Sequence, residues 1–425
     1  MEIYHKTYKN KTYKNKTYKT CKIPLQTIGA TQPCCRRKAA VPNQVRNEGQ
    51  LSYDAIKKLV LICFVSFVIT NTAFAQNEPV RVAFWNMENF FDPFVDSSKT
   101  YNAFTEDGMQ HWTKTRFYRK RNNMYKAILA MSENRPLGIL GMCEVENEYV
   151  LSALFEQTPL KKHNYRWVLY EGPDKRGIDP AIVYSLDHFQ LVESAVFPYY
   201  NSEDTAYHSR DILYAKFVAV EGGVSTLRQA QGSTTAKAKA PEPVEGPTQI
   251  DTIHVFVNHW PSRYSGELET VGSRSCSAAI LRAKVDSIMA AAPEGYQPKV
   301  IMMGDLNDCP TDPSVYDVLW ARHPSELEEG CLINLFGKND GLGFEGTLKH
   351  QTDWQIFDQI IVTPALMENG RGLHYQDGSA RIFHADFMLE DDETYHGKKL
   401  FRTYIGPRYF GGFSDHLPVY IDLAR

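Results

Sequence analysis

The chain contains no CxxC pair, and so lacks the thiol spacing of zinc fingers and ribbons. Cysteine is sparse as well. Past residue 75 only Cys143, Cys276, Cys309 and Cys331 remain, irregularly spaced, and both disulfides and free buried thiols stay open for them. The apolar run from Leu59 to about Thr70 is short of the roughly 20 residues that a bilayer-spanning helix needs. Positive charge is also missing where a polyanion binder would want it. Up to Ala75 there are 13 Lys and Arg against 3 Asp and Glu, a surplus of +10 within a total of −3, which leaves about −13 for the rest. Such a domain lacks the basic footprint of a tight, non-specific nucleic-acid binder, and any phosphate it handles calls for a metal.

What is present begins with a short basic repeat, KTYKNKTYKNKTYKT, in a stretch with no buried-face period, so residues 1–56 are expected to be a disordered extension. Residues 57–75 follow the plan of a signal peptide: Lys57 and Lys58, the short apolar run, then Ala73-Phe74-Ala75 ahead of Gln76. A short buried or membrane-anchoring helix is the alternative. Residues 76–425 are long and apolar enough for a single large domain. The Gly-, Ser-, Thr-, Ala- and Pro-rich segment at about 222–248 has almost nothing to bury and reads as a disordered loop insertion.

Within that domain, short apolar runs repeatedly end in oxygen-bearing residues. PVRVAFWNMENFF ends in Asn86 and Asn89, LGILGMCEVENE in Glu144 and Glu146, DTIHVFVNHWPSR in Asn258 and His259, and PKVIMMGDLNDCP in Asp305 and Asn307. WQIFDQIIVT and FSDHLPVYIDL instead begin with theirs, Asp358 and the pair Asp415-His416. Asn, Asp and Gly are common at strand ends because they favour turns. Six such motifs are harder to dismiss than one. If four strands end at a rim where two others begin, the sheets have antiparallel neighbours, which argues against an all-parallel doubly wound fold. RFYRKRNNMYKAILAMSEN and SAAILRAKVDSIMAAA carry apolar residues three and four apart and read as amphipathic helices.

Glu144, Asp305 and Asp415 supply carboxylates, and Asn86 and Asn307 amide oxygens, a set that suits Mg2+ or Mn2+ better than zinc. His259 and His416 titrate near neutrality and can move protons. A metal with one base and one acid is a plan for hydrolysis of phosphoesters.

With these residues on the page, the chain from about Val80 to Ala424 resembles the endonuclease/exonuclease/phosphatase superfamily. That group includes pancreatic-type deoxyribonuclease, abasic-site endonucleases, inositol polyphosphate 5-phosphatases and bacterial sphingomyelinases. GDLND and SDHLPVY, in that order and after a Glu motif and an Asn-His motif, carry the resemblance. It implies an α/β four-layer sandwich of two packed mixed β-sheets flanked by helices, with the site at one rim.

The resemblance also implies roles. Glu144 in MCEVEN, which stands where the family has Gln-Glu-Val, matches the metal-binding Glu, with Asn86 in support and Asp415 beside the metal and phosphate. Asp305 and Asn307 match the Asp-x-Asn that holds the attacking water or a phosphoryl oxygen. His416, oriented by Asp358, looks like the general base, and His259 like the group that protonates the phosphoryl or leaving oxygen; the two roles can exchange with substrate. Asn258, beside His259, is grouped with the substrate-binding residues. Asp179 matches an acid that pairs with the His259 position in deoxyribonuclease-like members, or is a turn residue before Pro180. Arg210 matches a phosphate-binding Arg, or pairs with Asp211. The abasic-site enzymes lack a histidine at the His259 position, which speaks against repair.

The expected function is a metal-dependent phosphodiester hydrolase, an exported nuclease on DNA or RNA, periplasmic or secreted by a Gram-negative bacterium. Nucleic acid or another phosphodiester is then the partner, with no stable protein partner, no membrane span in the mature chain, and a monomeric state. A phosphatase or sphingomyelinase-type enzyme on a small phosphorylated or lipid head-group substrate is the alternative. Arg402, Tyr404 and Arg408, between two catalytic motifs, are candidates to border the cleft. A binding module that has lost catalysis would be expected to lack one of Glu144, Asp305, His259 or His416, and all four are present.

Overall fold

The computed structural model describes residues 78–95, 101–201, 208–220, 251–370 and 372–425. The basic extension, the signal-like segment and the insertion at about 222–248 lie outside the described residues.

Two mixed sheets of seven strands each form the centre. In chain order the longer strands are β1 (Val80–Phe90), β2 (Ile139–Val145), β3 (Tyr165–Leu169), β4 (Asp179–Ser185), β5 (Phe189–Phe197), β6 (Ile212–Ala219), β7 (Thr252–His259) and β8 (Lys299–Asp305). In the first sheet β1 and β2 run parallel, flanked by two antiparallel neighbours, the strand Val419–Ala424 beside β1 and β4 beside β2. The second sheet repeats this plan. There β7 and β8 are parallel, with β6 and the strand Asp358–Val362 antiparallel on either side. Each parallel pair therefore ends at the rim where its flanking strands begin, as the polar residues at the run ends require.

Packing follows from strand alternation. Val82, Phe84, Ile139, Val419 and Ile421 of the first sheet join Val255, Val257, Ile301, Met303 and Ile360 of the second in one buried cluster. On the outer face of the second sheet, Phe256, Val300, Met302 and Ile361 meet Ala278, Leu281 and Val285 of a helix, Glu267–Ala290. Two more helices, α1 (Lys114–Met131) and α2 (Glu148–Phe155), bury Phe117, Met124, Ile128, Val150, Leu151 and Leu154 in the first sheet's cluster. The result is the α/β four-layer sandwich that the motifs imply. Helix α1 is capped by Thr113, whose side chain accepts from the Arg116 N–H, and α2 by Asn147 in the same way with Val150. The third helix, α3 (Glu267–Ala290), starts ten residues before its apolar period, because its first turns pack little and carry none. Among the described residues Cys143, Cys309 and Cys331 are free thiols.

Two glycines allow the close approaches that the site needs. A Cβ on Gly141 of β2 would lie 2.6 Å from Met303 Sδ and 2.9 Å from Val257 Cγ2 of the facing sheet. At Gly304 the obstacle is backbone: a Cβ would sit 2.4 Å from the Asn258 carbonyl oxygen. Since β7 and β8 must be that close for His259 to stand beside Asp305, Gly304→Ala is expected to cost about 1–3 kcal/mol in urea unfolding. It should also lower any activity that uses both residues. Unchanged stability would show that the strands have slack.

Candidate active site

Register sets the first row. His259 is paired with Asp305 across β7 and β8, and Asp305 with Asp358 across the next strand, so three chemistry-bearing residues stand side by side at the rim of the second sheet. The first sheet reaches over to each of them. Asn86 donates from Nδ2 to Asp305 Oδ2 at 3.0 Å, His416 Nδ1 lies 2.7 Å from Asp358 Oδ2, and Glu144 Oε1 is 3.8 Å from His259 Nε2. His259 Nε2 and His416 Nε2 each stand 3.7 Å from Asp305 Oδ2, so Asp305 is the hub.

Local backbone geometry aims these groups. Glu144 has φ +60° and Asn307 φ +50°, left-handed values that cost free energy in non-glycine residues and collect at working sites. Both β1 and β2 shift register just there, between Asn86 and Phe90 and between Met142 and Val145, as bulges do when they re-aim a side chain. The Asn89 N–H then binds Glu144 Oε2 at 2.7 Å, leaving Oε1 facing His259. Asn307 is tied by its N–H to Asp305 Oδ1 and by Nδ2 to the Trp260 carbonyl, both at 3.0 Å. In the Ser-Asp-His turn, Ser414 Oγ donates to the Asn86 carbonyl at 2.7 Å and accepts from the His416 N–H. Trp85 Nε1 holds the His416 carbonyl at 2.9 Å.

The two histidines are electrically opposite. Burial, then the guanidinium groups of Arg210 and Arg176, push the His259 imidazole well below its ordinary value, so it is neutral. Burial also works against a charged His416, but Asp358 and Asp305 outweigh it and hold that imidazole well above its ordinary value. Burial pushes Asp305 up to about 6, partly offset by His416. Two carboxylates, Glu144 and Asp305, thus each approach the same neutral imidazole.

The donor chemistry suits a divalent cation: Glu144 Oε1 and Asp305 Oδ2, buried hard oxygens, lie 3.8 and 3.7 Å from the same His259 Nε2. Asn86 also has a role toward Asp305. Its Nδ2 faces Asp305 and its Oδ1 accepts the Glu88 N–H at 2.9 Å, so the amide orients the Asp305 carboxylate. Asp415 stands on the His416 side, bound to Arg402 Nη2 at 2.7 Å, and burial notwithstanding Arg402 keeps it below the usual carboxylate range.

Other expected residues fall elsewhere. Asn258 has no exposed surface and spends its amide on the Met303 carbonyl and its oxygen on Trp260 Nε1, so it is a strut between strands where substrate binding was expected. Among the described residues His259 Nδ1 has no hydrogen-bond partner, and the pairing with Asp179 is not made. The Asp179 carboxylate instead accepts from the Gly172 N–H at 3.1 Å. Arg210 donates to the Trp260 carbonyl at 2.9 Å and lies 3.5 Å from Asp174, close enough to His259 to act on its charge.

Three residues escaped the sequence reading. Arg176 lies 3.7 Å from Glu144 Oε1, on a polar turn that carried no signal. Glu88 and Lys120 are buried beneath Arg402: Glu88 accepts from the Thr403 and Tyr404 N–H groups at 2.7 and 3.1 Å, and Lys120 donates to Thr403 Oγ1 at 2.5 Å. Lys120 was legible, as a charge on the apolar face of α1 between Phe117 and Met124.

A sequence profile of the endonuclease/exonuclease/phosphatase family matches residues 81–223 and 227–425. The chain belongs to that family. Among solved structures it is similar to an endonuclease/exonuclease/phosphatase family protein from Bacteroides thetaiotaomicron, with 17% identity, TM-score 0.47, and coverage of 82% of this chain and 98% of that one. A mannosyl-6-phosphatase from the same species gives 16%, 0.47, 81% and 99%. D. rerio TDP2 complexed with single strand DNA product gives 15%, 0.43, 81% and 99%. No curated protein matches. Among the described residues no helix is long and apolar enough to cross a membrane.

Two outcomes are expected. Lys120→Met removes the buried ammonium whose charge offsets Glu88 and whose Nζ donates to Thr403 Oγ1, and should cost about 1–3 kcal/mol in urea unfolding, less than a broken ion pair because Arg402 stays 3.6 Å from Glu88. Adding Glu88→Gln should recover part of that loss, and strict additivity would refute the coupling. Asp179 is pushed up to about 7 by burial, with Asp174, Asp211 and Glu171 adding to it. Its unfolded value is near ~3.9, so the native chain binds the extra proton and loses stability as pH rises from about 4 through 7. Asp179→Asn should flatten that slope by about 2–4 kcal/mol in melts taken across the window, and an unchanged slope would place the titration elsewhere.

Proposed function

We propose that the protein is an exported, divalent-metal-dependent phosphodiesterase acting on nucleic acid. The observation that carries this reading is the row His259, Asp305 and Asp358, closed from the opposite sheet by Glu144, Asn86 and His416. Guanidinium groups stand on both sides of it in strand order: Arg176 in the segment leading into β4, Arg402 against Asp415 just before the strand Val419–Ala424. A diester continues past the scissile phosphorus in both directions, and cations on both flanks suit that. Export rests on the segment from Lys57 to Ala75.

A cation held by Glu144 and Asp305 would neutralise phosphoryl oxygens and assist the departing alkoxide. The chain's own groups supply the rest. Neutral His259 accepts a proton at Nε2, while His416, charged and backed by Asp358, donates one or binds a phosphoryl oxygen. Asn307, fixed by two hydrogen bonds, presents its amide beside Asp305. The acidity of the chain past residue 75 favours a second reading, hydrolysis of a small phosphorylated substrate or head group that needs no long basic track.

The full chain, assayed with Mg2+, Mn2+, Ca2+ or EDTA on plasmid DNA, RNA, sphingomyelin and inositol phosphates, separates the readings. Cleavage of DNA or RNA that EDTA abolishes is expected. Asp305→Ala should abolish it, and His259→Ala or His416→Ala should each remove at least ~10² of the rate with unchanged thermal melts. Full activity in both histidine variants would overturn the assignment.

A further inference from the structure

One member of the site has no part in the hydrolysis described above. Cys143 of β2 is fully buried, paired in register with Asn86, and its side chain enters the same space as Asp305 and His259. One donor atom from each of Cys143, His259 and Asp305 lies within 4.8 Å of the other two. Sulfur, imidazole nitrogen and carboxylate oxygen form a set that a hard cation would not choose and that zinc does. We propose that Cys143, His259 and Asp305 form a zinc site superimposed on the hydrolytic centre, through which Zn2+ shuts the enzyme off.

The geometry permits it with small movements. Tetrahedral zinc with bonds of about 2.0–2.3 Å places its ligands roughly 3.3–3.8 Å apart, so the three donors need close by only about 1 Å. His259 Nε2 already stands 3.7 Å from Asp305 Oδ2. The Cys143 thiol gives up its proton to solvent when zinc binds, and a water fills the fourth position. Zinc held in this way removes His259 and Asp305 from their hydrolytic tasks, and that part of the inference rests on the reading under Proposed function. Among the described residues His259 Nδ1 has no hydrogen-bond partner, and so lacks the outer contact that usually secures a ligating imidazole. A reversible, regulatory affinity follows, short of that of a structural zinc.

The test uses Co2+ as a spectroscopic stand-in, on the full chain with Cys21, Cys34, Cys35 and Cys63 changed to Ser so that those thiols are silent. A near-ultraviolet thiolate-to-cobalt band is expected, displaced by Zn2+ but not by Mg2+. It should vanish in Cys143→Ala and Cys143→Ser and persist in Cys276→Ala, Cys309→Ala and Cys331→Ala. Thermal melts identify which of the two Cys143 variants is folded. Relative to each protein's own Mg2+-supported rate, Cys143→Ala should need at least ~10-fold more Zn2+ for half inhibition, the least that losing a ligand should cost when outer partners alone are worth that much. A band that survives in a folded Cys143 variant, or equal zinc sensitivity in it, would overturn the site. If phosphoesters are cut with Mg2+ but no such band forms, the zinc site falls and the hydrolase reading stands. If the band behaves as expected while no phosphoester is cut, the site stands and the hydrolase reading falls.

Discussion

The structure depends on one matter of alignment, the pairing that sets Asp305 opposite both His259 and Asp358. In a sheet a slip of one residue turns every side chain to the other face. A slip between β7 and β8, or between β8 and its next neighbour, would therefore bury a strand's polar end in the core and leave nothing at the rim. The apolar residues that alternate with these groups, Val255, Val257, Ile301, Met303 and Ile360, pin the register far more strongly than the polar row could. The core thus positions the site, and the site itself contributes strain.

That strain is visible as backbone and as charge. Left-handed conformations at Glu88, Asn89, Glu144 and Asn307 crowd one end of the sandwich. Buried carboxylates lie with them, balanced by side chains that come mostly from loops: Arg402 and Arg176 from two separate segments, His416 from a turn. Beneath the surface Lys120 ties helix α1 to the Thr403 hydroxyl, and Glu88 ties β1 to the Thr403 and Tyr404 N–H groups. The rim of the sandwich is therefore held by ionic and hydrogen-bonded contacts, where its middle is held by packing.

Much of this was legible in the sequence. Apolar runs ending in Asn, Glu, His or Asp announced the strands and the rim, and the two strands that begin there announced antiparallel neighbours. The pairing of His416 with Asp358 could be anticipated from family likeness, and the geometry has it. Asn258 misled because a polar residue beside a histidine looks available, whereas alternation turns it away from the rim toward the Met303 carbonyl. Asp179 misled for a similar reason: its position in a motif says nothing about which N–H group its carboxylate meets. Arg176 was silent, since a lone arginine in a polar turn has no period. Helix α3 ran past its apolar stretch because solvent-facing turns need no apolar signal.

The strand Val419–Ala424, which brings Asp415 and His416, lies against β1, the strand that brings Asn86, and Trp85 and His416 are 331 residues apart in the chain. Synthesis delivers the opening strand first and its companion hundreds of residues afterwards. A chain made only as far as β7 holds Asn86, Glu144 and His259 but not yet Asp305, Asp358 or His416. The cluster around Asp305 therefore closes only once the last strand has been made and laid against the first.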